Sequence, residues 1–297
     1  MAHEDIRFVP ATSVSSTLVW KAFLEGFRDY VIPVQIAEEP FEKMLAGEQV
    51  DLAASVVALN NEGEPLGVCL LAIRDSVGWC GGLGVAPSMR RKGLGRALMH
   101  RTIEEARSRT LERFQLECIN GNEGARRLYL ELGFQVTRRL DMFDGIPAVV
   151  PEREDRSGHI WVLDQPTSVW TDFGAYHRLQ RPWQQDLPSL RLTTPAASVE
   201  GLACGDRERP EAYLVYRVPA QAGARLSIVD SGSLSSGRDE VAALSSLLAR
   251  LIAMYPGDRL FAANVPEDDP FNPVLRSAGV PVSLTQSEME LRLQEPR

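Results

Sequence analysis

Apolar and polar positions alternate, cluster and change period along this chain in a way that marks out its elements. Leu18 to Phe27 carries apolar residues at helical spacing, and Pro40 to Leu45 follows after Pro33. Residues 52–60 (LAASVVALN) and 66–74 (LGVCLLAIR) are β-like runs separated by NEGEP, which predicts a hairpin. Val77 to Val85 is a third such run, interrupted by Gly81, Gly82 and Gly84. Glycine weakens a strand and marks close approach of a ligand or of another backbone. The period then becomes helical from Gly95 to about Thr110, returns to β-like at Phe114 to Ile119, and is helical again from Asn122 to Leu132. In that last segment Ala125, Leu128, Tyr129 and Leu132 share one face, and Gly133 ends it.

Residues 144–158 (DGIPAVVPEREDRSG) have the composition of a linker. Beyond them the order of elements recurs. Strands are predicted at 212–218 and 224–231, a helix at 239–255, a strand at 258–264, a helix at 270–278 and a strand at 285–293. A shift of 146 positions aligns the two halves without a gap from residue 90 to residue 134, carrying Ala97-Leu98 onto Ala243-Leu244 and Gly133 onto Gly279. The pattern suggests an internal duplication, with domains at 1–150 and 151–297.

Composition narrows the function. The chain has 297 residues, 44% of them hydrophobic, and a formal charge of −8. That balance can bury a core. It argues against a nucleic-acid surface and is compatible with a cationic substrate. No apolar run approaches the roughly 20 residues that span a bilayer, and the N-terminus MAHEDIRFVP lacks an export pattern. A cytoplasmic protein is expected, with no membrane partner. Cys69, Cys80, Cys118 and Cys204 show no C-x-x-C spacing and read as buried thiols. The scattered histidines make no metal constellation.

Against that acidic background, residues 85–99 (VAPSMRRKGLGRALM) stand out. Arg90, Arg91, Lys92 and Arg96 crowd around Gly93 and Gly95 where a strand turns into a helix. Glycines let backbone come close, the first amides of a helix are unpaired, and its dipole favours an anion. Arginine and lysine add charge-assisted bonds to phosphate. A solvated basic helix start would read the same way if the turn stood alone.

It does not stand alone. Arg90-Arg91-Lys92-Gly93-Leu94-Gly95 resembles the R/Q-x-x-G-x-G/A signature of the GNAT acetyltransferase superfamily, and Leu83-Gly84-Val85-Ala86-Pro87 resembles the strand end before it. Leu116-Glu117-Cys118, Asn122-x-x-Ala125-x-x-Leu128-Tyr129 and Gly133-Phe134 resemble the family's second block. The likeness covers residues 5–145. Together with the internal repeat it implies two tandem GNAT-like domains in an α/β (α+β) fold, each a mixed, mostly antiparallel sheet flanked by helices. It implies acetyl-CoA, with pyrophosphate on the amides of residues 91–96, the pantetheine arm along the backbone of Leu83, Gly84 and Val85, and Asn122 at its side. Transfer would be direct, in a ternary complex. Tyr129 stands where the family's general acid stands. Glu117 is either a general base or a strand carboxylate bonded in the cleft. The amide of Val85 would meet the developing oxyanion.

The acceptor, a small-molecule or peptide amine, is not written in the motif. By family position Glu25, Phe27, Asp29 and Tyr30 would line its side, although an ordinary helix face reads alike. In the second half the 146 shift replaces Gly93, Gly95, Glu117, Asn122 and Tyr129 by Asp239, Val241, Ala263, Asp268 and Leu275. The expectation is a degenerate domain without a cofactor site. Its aromatic stretch (Trp170, Phe173, Tyr176, His177, Trp183) belongs to a core, an interface or an acceptor cleft. Other readings stay open: a non-catalytic acyl-CoA sensor, another acyl donor or acceptor, and a homodimer.

Overall fold

The computed structural model describes residues 6–150, 159–219 and 225–293. Two compact units divide it: residues 1–137 with 287–297, and residues 138–286. The chain thus leaves unit 1 inside one strand and returns to it inside another.

Unit 1 begins with β1 (Arg7–Pro10), α1 (Ser16–Gly26) and α2 (Glu38–Gly47). Then come β2 (Val56–Leu59), β3 (Pro65–Arg74), β4 (Val77–Val85), α3 (Leu94–Ser108), β5 (Arg113–Ile119) and α4 (Glu123–Glu131). Strand β6 (Gln135–Gly145) starts here and runs on into unit 2. The strand order is β1-β2-β3-β4-β5, followed by the last residues of the C-terminal strand. Neighbours are antiparallel except β4 and β5.

Ser15 opens α1 by accepting the Leu18 N–H. The predicted hairpin forms, but β2 is shorter than its apolar run. Asp51 turns its carboxylate onto the amides of Ala53 and Ala54, so residues 52–55 coil before the strand begins. One face of the sheet buries Val19, Phe23 and Phe41 with Val57 and Leu70. The other buries Leu98, Ile103, Phe114, Leu116 and Tyr129. Strands covered on both faces read as continuous apolar runs, which is why β3 was legible.

Unit 2 takes β6 from Arg138 onward, then β7 (Ile160–Val162), α5 (Phe173–Tyr176) and α6 (Leu187–Thr193). The recurring order follows: β8 (Glu200–Gly205), β9 (Pro210–Arg217), β10 (Arg225–Ser233), α7 (Arg238–Met254), β11 (Arg259–Pro266), α8 (Phe271–Ser277) and β12 (Val282–Arg292). The strand order is β6-β11-β10-β9-β8-β7. It repeats the order of unit 1, again with one parallel pair, β10 and β11. Asp144 and Gly145, expected in a linker, belong to β6, and the amides of Ala148 and Val149 bond Ala278. The charged remainder of that stretch, 151–158, lies outside the described residues. From Ser287 onward β12 counts with unit 1, where the Leu293 amide bonds Glu112. Trp170, Phe173, Tyr176 and Trp183 are buried, the first three in one cluster with Tyr213. All four cysteines are buried and free.

Candidate active site

The site in unit 1 is a fork. Strands β3 and β4 pair with Leu70 opposite Gly82 and Leu71 opposite Cys80, so Gly81 is an extra residue that bulges and bends β4. Strands β4 and β5 pair in parallel only from Val77 opposite Arg113 to Trp79 opposite Gln115. Past Trp79 they share no pair, and that flank of β4 is an edge able to take an extended ligand. The Trp79 indole closes the apex, donating its N–H to Glu117 Oε2 at 2.8 Å.

At the mouth of the fork, Arg91 and Gly93 have left-handed backbone, with φ of 61° and 88°. Arg91 is strained there and Gly93 is not. No side chain caps α3, and its first turn holds no acid. Its leading N–H groups are therefore left for an anion. At Gly95 a Cβ would make ordinary contacts at 3.5 and 3.6 Å with Val85 and Leu128. The position is thus close to neighbours without demanding glycine. Leu94 is buried, while Arg91 and Lys92 are exposed.

Two of the four basic residues have other partners. Arg90 donates its Nε–H to the Val85 carbonyl at 3.0 Å and its outer nitrogen to the carbonyls of Gly26 and Arg28. It ties the end of α1 to the end of β4. Arg96 pairs with Glu131. Gly84 also serves α1: its missing Cβ would meet Gly26 Cα at 2.9 Å. Gly82 leaves room for the rings of Phe23 and Phe27. These two glycines admit a helix as closely as they would admit a ligand. Leu83 and Val85 pack partly buried against the core below.

Tyr129 is buried on α4, its ring 5.8 Å from that of Phe134. Burial, reinforced by the neighbouring thiols of Cys80 and Cys118, pushes its phenol well above the ordinary value. It therefore stays protonated at neutral pH and has a proton to donate. Burial likewise pushes Cys118 up to about 11. Cys80 is raised by its 3.9 Å contact with Cys69 and by burial. These thiols are inert packing groups. Asn122 caps α4 by accepting the Ala125 N–H at 3.2 Å, and its side chain also faces the Tyr30 hydroxyl.

Glu25, Phe27, Asp29 and Tyr30 do come together, along a groove of about 1160 Å³ on α1. Glu25 is ion-paired with Arg28. Phe27 meets Tyr30 edge-on, with ring centroids 5.2 Å apart. Two residues escaped the sequence reading. Trp79 joins the fork's two arms. Glu48, buried at the end of α2, brings a carboxylate oxygen to 3.7 Å from where a Cβ on Gly81 would lie. No local pattern marks either one, because Trp79 finds its partner on β5 and Glu48 reaches the bulge from α2.

Unit 2 contains the same fork, filled. Strand β10 bulges at Val229, and its parallel pairing with β11 ends at Ile228 opposite Ala262. Arg181 pairs with Asp269 and comes within 3.8 Å of Asp230. Gln185 donates to the Ala263 carbonyl, and Gln184 accepts from Asn264 at 3.2 Å. Asp230 Oδ2 accepts from Tyr213 at 2.6 Å and from Trp170 at 2.9 Å, with His177 at 3.3 Å from Oδ1. At the start of α7, Asp239 is exposed, whereas Glu240 turns inward. Burial raises Glu240, even though Arg178 lies at 3.4 Å and the Gly237 N–H bonds it. Among the described residues no group of His, Cys, Asp and Glu could hold a metal ion. No helix there is long and apolar enough to cross a membrane.

Residues 19–134 match the family model described as the acetyltransferase (GNAT) family. Solved structures share the fold across both units. A GCN5-related N-acetyltransferase from Sphaerobacter thermophilus has a TM-score of 0.70 at 15% identity, over 99% of this chain and 98% of that one. A tandem GNAT protein from the clavulanic acid biosynthesis pathway has 0.66 at 14%, over 99% and 100%. A GCN5-related N-acetyltransferase from Anabaena variabilis has 0.66 at 15%, over 97% and 73%. No curated protein matches the chain in sequence.

Proposed function

We propose that this chain moves an acetyl group from acetyl-CoA to a primary amine, acyl transfer being the chemistry of the acetyltransferase (GNAT) family whose model residues 19–134 match. The fork of unit 1 carries that reading. Its open β4 edge suits the pantetheine arm, and the uncapped start of α3 suits the pyrophosphate, with Arg91 and Lys92 turned to solvent beside it. Acetyl-CoA supplies an activated thioester. The chain's own residues supply position and proton traffic. Asn122 lies beside the arm. The Ala86 N–H bonds the Leu66 carbonyl on the β3 side, so the Val85 N–H is directed to the open flank, where it would meet the carbonyl oxygen.

The attacking amine must first lose a proton, and Glu117, held by the Trp79 indole, accepts it. The leaving thiolate must gain one, and the buried phenol of Tyr129 gives it. Direct transfer in one ternary complex needs no covalent enzyme intermediate, consistent with thiols whose pKa burial raises.

The test is Tyr129→Phe, which removes one hydroxyl from a well-packed ring. Calorimetry should find acetyl-CoA affinity unchanged, while turnover drops by roughly 10²–10⁴-fold. Glu117→Gln should cut turnover most steeply at low pH, where amines are fully protonated. Wild-type turnover in Tyr129→Phe would return that ring to a packing role.

A further inference from the structure

We propose that the groove along α1 is the acceptor site and that its ligand is a monoamine on a bulky apolar body, of the arylalkylamine kind. The inference rests on the acyl-transfer reading above and sharpens it. Trp20, Leu24 and Phe27 are spaced four and three residues apart, so they form one stripe on α1. Val19, Ala22, Phe23 and Gly26 dock the helix, buried, and Trp20 and Phe27 pack at the edge of that core only partly buried. With Leu24 they leave apolar surface along the groove. Val34 and Ile36, from the segment after α1, make the opposite wall. The Trp20 indole N–H fixes that wall by donating to the Ile36 carbonyl at 2.9 Å.

The groove leads to the chemistry. It ends at Ala86, just beyond β4, and at Tyr30, whose hydroxyl faces Asn122 beside the fork. Its volume of about 1160 Å³ exceeds the usual ligand-site range of roughly 300–1,000 Å³ and is large for a lone amino acid. The charges around it limit the ligand further. Lys21, Glu25, Arg28, Asp29 and Glu64 face the groove. With Glu25 and Arg28 paired to each other, Asp29 and Glu64 stand against Lys21. The excess of a single negative charge suits one ammonium group. A polyamine or an aminoglycoside would bring several cations to a groove whose excess is one negative charge.

Thiol release from acetyl-CoA, measured with 2-phenylethylamine, tryptamine, spermidine and kanamycin, tests the assignment. The two arylalkylamines should be the better substrates by kcat/KM. Trp20→Ala and Leu24→Ala should each raise their KM about tenfold, as expected for removing one apolar wall. Calorimetric affinity for acetyl-CoA should not move in either variant, which also shows that they remain folded. Trp20→Phe, which keeps an aromatic wall, should recover most of the KM. Preferential acetylation of spermidine or kanamycin, or an unchanged KM in both variants, would overturn the acceptor class while leaving acyl transfer intact. A wild-type protein that binds no acetyl-CoA would sink both.

Discussion

The two forks begin alike and end differently. In each, the middle strand carries a one-residue bulge, at Gly81 or at Val229, and its parallel neighbour parts from it within a few residues. In unit 1 the helix that follows has a bare N-terminus, with no cap and no acid in its first turn. In unit 2 the corresponding turn holds Asp239 and Glu240, and Glu240 takes the Gly237 amide. A carboxylate of the chain itself thus bonds at the start of α7, where α3 leaves its amides bare. Between the strands, unit 1 has the Trp79–Glu117 bond at its apex, whereas unit 2 has Arg181 between Asp230 and Asp269, with Gln184 and Gln185 bonded to β11. The difference teaches that a fork is an unfinished sheet. Its unpaired backbone and polar groups require partners, supplied either by a ligand or by the chain itself.

The comparison can be broken most sharply by making unit 1 resemble unit 2. Gly95→Asp adds a side chain whose Cβ fits at 3.5 Å or more from its neighbours, so the fold should survive. The carboxylate would then sit at the helix start and repel a pyrophosphate. Calorimetry should show one coenzyme A per wild-type chain and none for the variant. Two per chain would mean that the fork of unit 2 still binds, and undiminished affinity in folded Gly95→Asp would remove the phosphate assignment.

The opposite experiment empties the fork of unit 2. Arg181 is nearly buried between Asp269 and Asp230. Removing one partner of a buried charge cluster leaves the others uncompensated, which typically costs about 3–5 kcal/mol. Arg181→Ala should therefore lower the stability of unit 2 by roughly that amount in urea unfolding, with acetyl-CoA affinity retained. A loss well under 1 kcal/mol would show that water replaces the guanidinium freely and that the filling is incidental.

Much of this contrast was legible in the sequence, and what was missed has a physical cause. The β4 turn, α3, β5 and α4 could be read because apolar periodicity and glycine chemistry act within a few residues. The contrast between the two helix starts was also readable, because Asp239 and Val241 stand where unit 1 has Gly93 and Gly95. Which acid turns inward was not, because Glu240 is selected by Arg178 from a distant segment. Strand β6 escaped notice since its sequence, QVTRRLDMFDG, is rich in charge. Asp141 is tolerated there only because Arg139, Asn272 and Arg276 surround it. The plug of unit 2 escaped for the same reason: Arg181 and Asp269 meet across 88 positions of sequence. The end of β12 joins unit 1 through pairing partners such as Gln115 and Glu290, which no local pattern reveals.

The smallest effect separates the units by acid. Among the described residues of unit 2, three carboxylates lie below their ordinary range. For Asp141, burial alone would raise the value, but bonds from Asn272, Arg276 and Arg139 outweigh it. For Asp144 the Arg259 bond dominates, with Arg225 adding to it. For Asp230, burial is overcome by His177, Arg181 and Tyr213. In unit 1 the lowered carboxylate is Glu39, exposed on α2 beside Lys43. A carboxylate lowered by folding holds fewer protons in the folded state than in the unfolded one. Its contribution is complete above the unfolded value of about 3.9 and is lost as pH falls through the folded value. Unit 2 should therefore lose stability from about pH 4 downward, more steeply than unit 1. Asp144→Asn isolates one part of that slope. Its arginine partners are half exposed, so the pairs are worth at most about 1 kcal/mol at neutral pH. Urea unfolding at pH 6 and at pH 3 should show the variant weaker than wild type by that amount at the higher pH and nearly equal to it at the lower. An equal deficit at both would mean that Asp144 contributes through packing, and the acid difference between the units would then rest on Asp141 and Asp230.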